Sequence, residues 1–222
     1  MATLPAVADL PHVSRELLGE IVDPARTALV LVDVQVDFVA PDGVIGKAGV
    51  DLSPAHQAMQ QMDRLRGEIK PSGGKVCFLK VVTRDETDTE ALKNLYKWRG
   101  QPGQHAICRA DEAGSDYYQL VPEDGDLDVE KVLFDGFYNT DLEAQLKAQS
   151  IDTLLMTGVT TDCCVDQTAR SAFHRGFNVI IVSDACAAYD ETLHVASLMA
   201  LEKNCALLTD TQTLLSVLQK SH

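Results

Sequence analysis

The chain has 222 residues, 45% of them hydrophobic, which is enough to bury the core of one large α/β domain. The composition is acidic, with 33 Asp and Glu against 19 Lys and Arg and a net charge of -14, which argues against nucleic acids and anionic membranes as partners. Residues 1–26 lack a secretory signal and no apolar run approaches the roughly 18 residues of a membrane span, so we expect a cytoplasmic protein with one domain over residues 1–222 and an N-terminal extension over residues 1–26.

The first half of the chain alternates apolar runs with one clear helix. Residues 27–33 form a short continuous apolar run, which is typical of a strand buried on both faces of a parallel sheet. Ser53–Ile69 is predicted to be a helix, with Ser53 as its cap and a proline at the first helical position. Residues 73–82 are predicted as the next strand. Residues 83–127 show no clear long element, which favours a functional segment or an oligomer contact.

The second half is more regular and alternates strands with helices. The predicted strands are 129–134, 151–158, 178–185 and 205–210, and the predicted helices are 140–150, 162–177, 191–204 and 211–220. Thr140 is the expected cap of the first of these helices and Gly176 the expected end of the second. Strands separated by helices imply a parallel sheet covered on both faces.

The cysteines do not follow a metal-binding pattern. The six are Cys77, Cys108, Cys163, Cys164, Cys186 and Cys205. None stands in CxxC spacing and no Cys/His cluster is present in the sequence, so a structural zinc site is not expected. In a cytoplasmic protein these thiols are expected to be reduced.

Cys163 and Cys164 stand at a predicted strand-to-helix turn that follows Gly158. In open α/β sheets, ligands bind beyond the carboxyl ends of the strands, which is where this turn lies. Thr161 or Asp162 is expected to cap the helix. A thiol in the first helical turn faces unpaired N–H groups and the positive end of the helix dipole, and both favour thiolate. The same N–H groups can bind an oxyanion.

The helical periodicity separates the two thiols. Cys164 shares a row with the small residues Thr168 and Ala172, which suits packing against the sheet. Cys163 shares its row with Gln167 and further polar residues, which suits solvent. We therefore assign the nucleophile to Cys164. The alternative interpretation is that both cysteines are ordinary buried residues at a helix start, because most free cysteines are inert.

Asp33 and Lys131 are the candidates to act with this thiol. Asp33 ends the first predicted strand, so it projects at the same edge of the sheet. A carboxylate beside a thiol raises the thiol pKa unless a cation is also present, and Lys131 is a candidate for that cation. Taken singly, Asp33 also fits a turn residue and Lys131 a solvated charge. Spacing alone does not bring the three residues together.

Three segments resemble motifs of the isochorismatase-like cysteine hydrolase superfamily. They are "ALVLVDVQVDF" at 28–38, "EKVLFDGFYNTDLE" at 130–143 and "GVTTDCCVDQTARSA" at 158–172. They occur in the family's order over roughly residues 27–210. The resemblance implies a three-layer α/β/α sandwich with a Rossmann-like, mainly parallel six-stranded sheet.

The resemblance also implies a site and a mechanism. It implies a catalytic triad of Asp33, Lys131 and Cys164, and a non-proline cis peptide between Val159 and Thr160. The N–H groups of Thr160 and Cys164 would form the oxyanion hole. In that mechanism Asp33 takes the thiol proton, Cys164 attacks an amide carbonyl, and water hydrolyses the resulting thioester.

Within the family, the sequence is most similar to ureidoacrylate and biuret amidohydrolases, in residues 40–53 and 114–131 as well as in the lysine segment. This suggests a small ureido, carbamoyl or amide substrate. The candidates for substrate contacts are Gln35, Phe38, Tyr138, Val159 and the loop around Trp98. The candidates for holding a substrate carboxylate are Arg84, Lys97, Arg99 and Arg109.

Other functions remain open at this point. Nicotinamidases carry an Asp-x-His metal site after the second strand, but Asp85 here is followed by Glu86 and Thr87, so we expect no metal and no cofactor. A non-enzymatic redox-thiol protein is a further alternative.

Two other hydrolase classes fit less well. A haloacid-dehalogenase-like phosphatase needs a second aspartate where Gln35 stands. A Cys–His hydrolase would need His174 or His194 beside Cys164, and His174 lies roughly 15 Å along the same helix. As in the family, a homo-oligomer, either a dimer or a tetramer, is expected.

Overall fold

The computed structural model describes residues 4–219, which are built around one six-stranded sheet. The strands are β1 (Thr27–Val32), β2 (Lys75–Val81), β3 (Leu127–Lys131), β4 (Thr153–Val159), β5 (Asn178–Ala187) and β6 (Leu207–Thr209). Their order is β3-β2-β1-β4-β5-β6, and every pairing between neighbouring strands is parallel. Helices cover both faces, so the predicted three-layer α/β/α sandwich is confirmed.

The helices alternate with the strands along the chain. They are α1 (Arg15–Ile21), α2 (Val36–Val39), α3 (Val44–Lys47), α4 (Ser53–Ile69), α5 (Glu90–Trp98), α6 (Leu142–Ala148), α7 (Asp166–His174), α8 (Glu191–Asn204) and α9 (Thr211–Leu218). A π-helical turn, Thr161–Val165, connects β4 to α7. Within residues 4–219, no helix combines the length and apolar character that a membrane span requires.

The position of β1 between two cores explains why its sequence is continuously apolar rather than alternating. Ala28, Val30 and Val32 point into the core between the sheet and the layer of α6, α7 and α8. Leu29 and Leu31 point into the opposite core, which α1, α4 and α9 cover. Successive side chains of a strand face opposite sides, so a strand in the middle of a three-layer fold needs apolar residues at every position.

The strand order places a crevice at the centre of the sheet. The chain moves outward from β1 to β3 and then returns to the other side of β1 with β4. At such a reversal the connections after the two central strands leave in opposite directions, which opens a binding crevice at their carboxyl ends. Asp33 follows β1 and the cysteine turn follows β4, so both lie at this reversal.

Gly158 lies where β4 comes closest to β1. Its φ is 116°, a backbone conformation that glycine adopts far more readily than other residues. A Cβ at this position would lie 2.3 Å from the carbonyl oxygen of Val32 and 2.5 Å from the Val32 nitrogen. Both the backbone angle and the lack of space therefore require glycine near the end of β4, three residues before the π-helical turn.

Gly158→Ala is expected to lower the free energy of unfolding by about 2–6 kcal/mol, from backbone strain and a clash with rigid backbone atoms that each cost about 1–3 kcal/mol. Gly49→Ala is the matched control, because Gly49 has a φ of 78° but no atom within 4 Å of the added Cβ. Only the strain then remains, at about 1–3 kcal/mol. Urea denaturation of both variants measures the difference, and equal losses would contradict the importance of the close approach to Val32.

The N-terminal extension packs against the domain. The Val13 N–H donates to the Leu208 carbonyl oxygen at 2.8 Å, which adds residues before α1 to the β6 edge of the sheet. Leu18 of α1 is fully buried. The Arg15 guanidinium donates to the Ser216 hydroxyl of α9 at 2.8 Å. The extension therefore covers part of the core, which its sequence did not predict.

Several predicted boundaries were wrong for identifiable reasons. Residues 83–127 were expected to lack a clear long element, but they contain α5, which Thr89 caps by accepting a hydrogen bond from the Leu92 N–H. Ser53 is not the cap of α4; its own N–H and hydroxyl donate to Asp51.

Two further helix ends also differ. Asp141, not Thr140, is the cap residue of α6, although its side chain makes no cap hydrogen bond. The Thr140 hydroxyl donates to the Gly136 carbonyl oxygen and accepts from the Leu142 N–H at 3.4 Å. The predicted last helix extended to Lys220, which lies outside the described residues.

Candidate active site

The side chains of Asp33, Lys131 and Cys164 meet at the carboxyl edge of the sheet. The Lys131 Nζ donates to the Asp33 Oδ2 at 2.8 Å and to the Leu133 carbonyl oxygen at 2.9 Å. The Cys164 side chain lies beside both groups, close enough that the carboxylate and the ammonium group each shift the pKa of its thiol. Asp33 and Lys131 are 0% exposed and Cys164 is 6% exposed. One acid, one amine and one thiol therefore share a site that is nearly closed to bulk water.

The position of Lys131 explains why a long side chain is needed. Lys131 is the last residue of the edge strand β3 and pairs in register with Val81 of β2. Asp33 follows β1, on the other side of β2. The lysine side chain therefore crosses the end of one strand to reach the carboxylate, and a shorter cation at this position would not span the gap.

The backbone at the end of β1 fixes the Asp33 carboxylate. Asp33 has a φ of 53°, in the left-handed region, and its N–H donates to the Leu79 carbonyl oxygen at 2.8 Å. The Val81 N–H donates to Asp33 Oδ1 at 3.1 Å, so Oδ2 is left to Lys131. Asn and Asp are among the residues that tolerate a positive φ best, which suits aspartate at this turn.

Gln35 joins the ends of β1 and β2 and does not line the cavity beside Cys164. Its side-chain NH₂ group donates to the carbonyl oxygens of Val81 and Ser115, and its Oε1 accepts from the Val81 N–H. The side chain is 0% exposed. The expectation that Gln35 contacts substrate is therefore corrected: its amide groups already bind backbone.

The turn that carries Cys164 differs from the capped helix start that the sequence suggested. The Val159–Thr160 peptide bond is cis. The N–H groups of Cys163 and Val165 both donate to the Thr160 carbonyl oxygen, at 3.1 and 3.2 Å. The predicted caps Thr161 and Asp162 lie inside the π-helical turn, where neither caps the helix. The first helical turn is therefore wider than an α-turn at the residue that presents the thiol.

His194 supports this turn from α8. Its Nδ1 lies 2.8 Å from the Thr161 hydroxyl oxygen, within hydrogen-bond distance. Burial lowers the pKa of His194, against the opposing effects of the nearby carboxylates, Asp162 and Glu191. His194 does not line the cavity with Cys164, and His174 is exposed at the far end of α7. Neither histidine is placed as the partner of a Cys–His hydrolase.

The electrostatics of the Asp33–Lys131 pair follow from burial. Desolvation raises the pKa of the Asp33 carboxyl, and this outweighs the lowering effect of the Lys131 charge and of the hydrogen bonds that the carboxylate accepts. Burial by itself lowers the pKa of Lys131, but the charge of Asp33 and the contact with Cys164 raise it above the ordinary value. Lys131 therefore stays protonated, while Asp33 is a stronger base than an exposed aspartate.

Their mutual hydrogen bond shifts the pKa values of the Cys163 and Cys164 thiols in opposite directions. The hydrogen bond with Cys163, then burial and the Asp33 charge, raise the pKa of Cys164 well above the ordinary value. The hydrogen bond with Cys164 lowers the pKa of Cys163, and Lys131 acts in the same direction, although burial opposes both. In the resting protein Cys164 therefore keeps its proton and needs a base before it can attack.

The site opens into a cavity of about 520 Å³, which we call the active-site cavity. Its walls come from α2 and α3, the end of β2, one face of α5, residues 102–107, residues 132–134 and the cysteine turn. Phe38 and Val159, both candidates for substrate contacts, line it together with Thr160, Cys163 and Cys164. The sulfur and the cis peptide thus face the same space.

Other predicted substrate contacts lie elsewhere. Tyr138 is 44% exposed and Trp98 is 79% exposed, and neither lines the active-site cavity. The Arg84 guanidinium pairs with Glu130 at 3.3 Å. The structure therefore places Tyr138 away from the active-site cavity, and the helix that carries Trp98 contributes other residues to its wall.

Several residues that line or support the cavity were missed by the sequence reasoning. Leu92 and Tyr96 lie one turn apart on α5 and form part of the wall, which a threonine cap followed by the i, i+4 apolar pair could have indicated. Asp37 holds two other wall segments, because its carboxylate accepts from the N–H groups of Val44 and Cys108. No local pattern predicts this bridging role of Asp37.

Metal binding is not indicated by the side chains themselves. Within residues 4–219, no group of three or more His, Cys, Asp and Glu side chains is arranged to hold a metal ion. The active-site cavity has no aspartate or glutamate among its described lining residues, and its one histidine is His105. The expectation of a reaction without metal or cofactor stays a prediction.

Comparison with known proteins identifies relatives. Residues 27–213 match the family described as the isochorismatase domain. The ureidoacrylate amidohydrolase RutB of Methylobacterium radiotolerans is 32% identical over 192 residues, which cover 81% of this chain and 74% of that protein. A cysteine hydrolase from Pseudomonas syringae pv. phaseolicola has a TM-score of 0.81 at 26% identity, covering 90% of this chain and 96% of that one. The nicotinamidase PncA from Bacillus subtilis has a TM-score of 0.69 at 25% identity, covering 83% and 99%.

Proposed function

Because the chain belongs to the isochorismatase family of hydrolases, we propose that it is a cysteine-dependent amidohydrolase. It cleaves a C–N bond of a small ureido, carbamoyl or amide substrate through a thioester intermediate. The observation that carries this proposal is the meeting of Asp33, Lys131 and Cys164 at the wall of the active-site cavity. The similarity to an ureidoacrylate amidohydrolase and to a cysteine hydrolase supports the same chemistry.

In the first half of the reaction Asp33 acts as the base. It takes the proton of the Cys164 thiol as the sulfur attacks the substrate carbonyl carbon and a C–S bond forms. The negative charge on the carbonyl oxygen is held by the N–H groups of Thr160 and Cys164, each worth about 3–4 kcal/mol in comparable oxyanion holes. Asp33 then returns the proton to the leaving nitrogen, the C–N bond breaks, and ammonia or an amine departs.

In the second half of the reaction, a water molecule takes the place of the departed amine beside the thioester. Asp33 takes a proton from the water as the water oxygen attacks the thioester carbon. The C–S bond then breaks, and Asp33 gives that proton to the sulfur, which regenerates the Cys164 thiol and releases the acid product. Lys131 stays protonated and transfers no proton in either step. Its charge lies 2.8 Å from the Asp33 carboxylate and holds that carboxylate in place throughout.

The assignment of the nucleophile to Cys164 rests on its surroundings. Cys164 is buried beside Asp33 and Lys131, and the charges of both shift the pKa of its thiol, whereas Cys163 is less buried and its sulfur faces the Gln167 amide at 3.8 Å. A lowered thiol pKa by itself would point to Cys163, so the pH dependence of iodoacetamide labelling does not separate a catalytic from a redox-sensing role. Substitution of each cysteine does.

A nicotinamidase-like amidase is the second candidate function. The active-site cavity is lined mainly by apolar side chains, including Phe38 and Phe134, and such walls suit an aromatic amide. The similarity to a nicotinamidase is consistent with this candidate. Both candidates use the same thiol chemistry and differ in the substrate.

The experiment that tests the proposal is an ammonia-release screen of the purified protein. The panel contains ureas, biuret, N-carbamoyl amino acids and nicotinamide, with the Cys164→Ala protein as the blank. Intact-protein mass spectrometry of samples quenched during turnover is expected to show an acyl adduct on the native protein. Release of ammonia by the Cys164→Ala protein at the native rate would exclude the proposed mechanism.

The acid limb of kcat/KM is expected at a higher pH than for an exposed aspartate. Asp33 must be ionised to take the thiol proton, and burial raises its pKa above the ordinary value of 3.8. Activity is therefore lost as the pH falls through this raised pKa. The measurement is kcat/KM against pH with an uncharged substrate, and far-UV circular dichroism at each pH shows that the protein is folded. Full activity of the folded protein at pH 4 would contradict Asp33 as the base.

The domain organisation, the oligomeric state and the cellular location of the enzyme are also proposals. Residues 1–222 are proposed to act as one hydrolase domain and to form a homo-oligomer, either a dimer or a tetramer. Exposed apolar side chains such as Trp98 and Phe173 are available for such contacts. All six cysteines are free, which supports a cytoplasmic location with reduced thiols.

A further inference from the structure

The Tyr96 hydroxyl is a polar group on the wall of the active-site cavity that the mechanism does not use. Tyr96 lies on α5 and is half-buried. Within residues 4–219, no group forms a hydrogen bond with this hydroxyl, and its oxygen is not one of the polar atoms that are sealed from solvent. A group that enters the cavity can therefore reach it.

The surroundings of the phenol show which way it faces and in which form it is present. Burial raises the pKa of Tyr96, and so do the negative charges that the Cys163 and Cys164 thiols carry when ionised, against the opposing charge of Arg99. The hydroxyl therefore lies near the two sulfurs, which line the same cavity. It also keeps its proton at neutral pH, so it is a hydrogen-bond donor.

Tyr96 is one of four hydroxyl groups among the described lining residues of the cavity, and the others are less suited to the far end of a substrate. The Thr83 hydroxyl donates to a backbone carbonyl oxygen at 2.7 Å, and the Tyr189 hydroxyl donates to another at 2.8 Å. Thr160 adjoins the cis peptide, where the scissile carbonyl binds in the proposed mechanism. Tyr96 is left as the donor for the rest of the substrate.

The charges around the active-site cavity determine which acceptor suits this donor. None of the described lining residues is Lys, Arg, Asp or Glu. Lys131 is engaged by Asp33, and Arg99 is exposed and does not line the cavity. A substrate carboxylate would therefore lose its hydration without meeting a free cation in this wall, which is costly. A carbonyl oxygen or a ring nitrogen loses less hydration and accepts from the phenol.

We propose that the Tyr96 hydroxyl donates a hydrogen bond to an uncharged acceptor in the acyl part of the substrate, away from the scissile carbonyl. It thereby favours amides that carry a second carbonyl oxygen or a ring nitrogen over amides of the same shape without an acceptor. This inference rests on the proposed amidohydrolase function, because it concerns the far end of the same substrate. Tyr96 is a specificity residue in this scheme and takes no part in bond breaking.

The test uses compounds of matched shape, of which one carries the acceptor and the other does not. Nicotinamide, isonicotinamide and picolinamide are compared with benzamide, so that the ring nitrogen takes three positions. Malonamide is compared with isovaleramide, in which two methyl groups replace the second amide. Dissociation constants are measured by NMR titration of the Cys164→Ala protein, in which chemistry is blocked, with and without the substitution of Tyr96.

Tyr96→Phe removes the hydroxyl and keeps the ring in the wall. In at least one matched set it is expected to weaken binding of the acceptor compound about tenfold, the scale of one hydrogen bond, and to leave the apolar compound within about twofold. Comparing the two proteins cancels the greater gain that an apolar compound has from burial. In turnover of the acceptor compound, KM is expected to rise by a similar factor and kcat to stay within about threefold, because the lost bond is present before and during the reaction.

Two further tyrosines provide matched controls. Tyr138→Phe makes the same change at an exposed residue outside the cavity and is expected to alter neither compound. Tyr189→Phe removes a wall hydroxyl that donates to the Phe38 carbonyl oxygen. Its loss is expected to change the binding of both compounds alike, because it acts on the wall and not on one atom of the ligand.

The outcomes separate this proposal from the amidohydrolase function. Equal effects of Tyr96→Phe on acceptor and apolar compounds would overturn the role of Tyr96, as would the absence of measurable binding of every compound. A change of selectivity in Tyr189→Phe but not in Tyr96→Phe would overturn it as well. Loss of acceptor binding in Tyr96→Phe, without any turnover by the native protein, would sustain the recognition and contradict the amidohydrolase function.

Discussion

Replacing Cys164 by alanine or serine is expected to reduce kcat by about 10⁴-fold or more, the scale seen when a covalent nucleophile is removed. Alanine cannot form the thioester. A serine hydroxyl is far less acidic than a thiol, so Asp33 is too weak a base to activate it efficiently. Steady-state ammonia release on the best substrate measures the loss, and the intact-mass signal of the acyl adduct is expected to disappear with it.

Cys163→Ala is the matched control, because it removes the neighbouring thiol from the same turn. Its kcat is expected to stay within about tenfold of the native value, since Cys163 is not assigned to bond formation. The hydrogen bond with Cys163 raises the pKa of Cys164, so its removal is expected to lower that pKa. Iodoacetamide labelling of Cys164 in the Cys163→Ala protein should therefore begin at a lower pH. If Cys163→Ala loses activity and Cys164→Ala keeps it, the nucleophile has been assigned to the wrong sulfur.

Separating Asp33 from Lys131 is expected to damage both stability and activity. Either side chain is 0% exposed, so removal of one partner leaves a buried charge without its counterion, which typically costs about 3–5 kcal/mol. Lys131→Met also removes the charge that lowers the pKa of Asp33, so the carboxyl binds its proton up to a higher pH. Asp33→Asn removes the base itself. Both single variants are therefore expected to be inactive and less stable.

The double variant separates the structural from the catalytic contribution. Asp33→Asn combined with Lys131→Met removes both charges, and a neutral pair of similar volume in a buried site is often as stable as the ion pair that it replaces. We expect the double variant to recover most of the free energy of unfolding that each single variant loses, without recovering turnover. Urea denaturation and the ammonia assay measure the two effects. Additive losses of stability in the double variant would mean that the two charges do not stabilise each other.

The regular elements could be predicted where the signals are local. α4 and α8 have the predicted bounds, Ser53–Ile69 and Glu191–Asn204, because each is a long amphipathic or apolar segment with polar residues or proline at its start. The six strands were predicted in the right order along the chain, with ends that shift by a few residues. α5 was missed because it is short and mostly exposed, so few of its positions carry the apolar pattern.

The candidate site could be predicted only in part. Asp33 follows β1 and Cys164 follows β4. Because ligands bind at the carboxyl ends of parallel strands, both residues could be predicted to belong to the site. Lys131 was named as a candidate for the cation that the thiol would need, but only the family resemblance placed it in the triad, since an isolated lysine carries no signal of burial. Gln35 and Tyr138 were misassigned, because whether an amide or a ring faces the cavity depends on chain segments that are distant in sequence.

The sequence by itself determined the parallel α/β architecture. A strand buried on both faces is a continuous apolar run, and a helix buried on one face has apolar residues at the helical period, so both patterns are visible locally. It also determined which residue types were available at the sheet edge. Only the tertiary structure decided that Lys131 crosses β2 to reach Asp33 and that Gly158 has no room for a side chain. These are properties of distances between segments far apart in the chain, and such distances are fixed by packing of the whole fold rather than by any stretch of neighbouring residues.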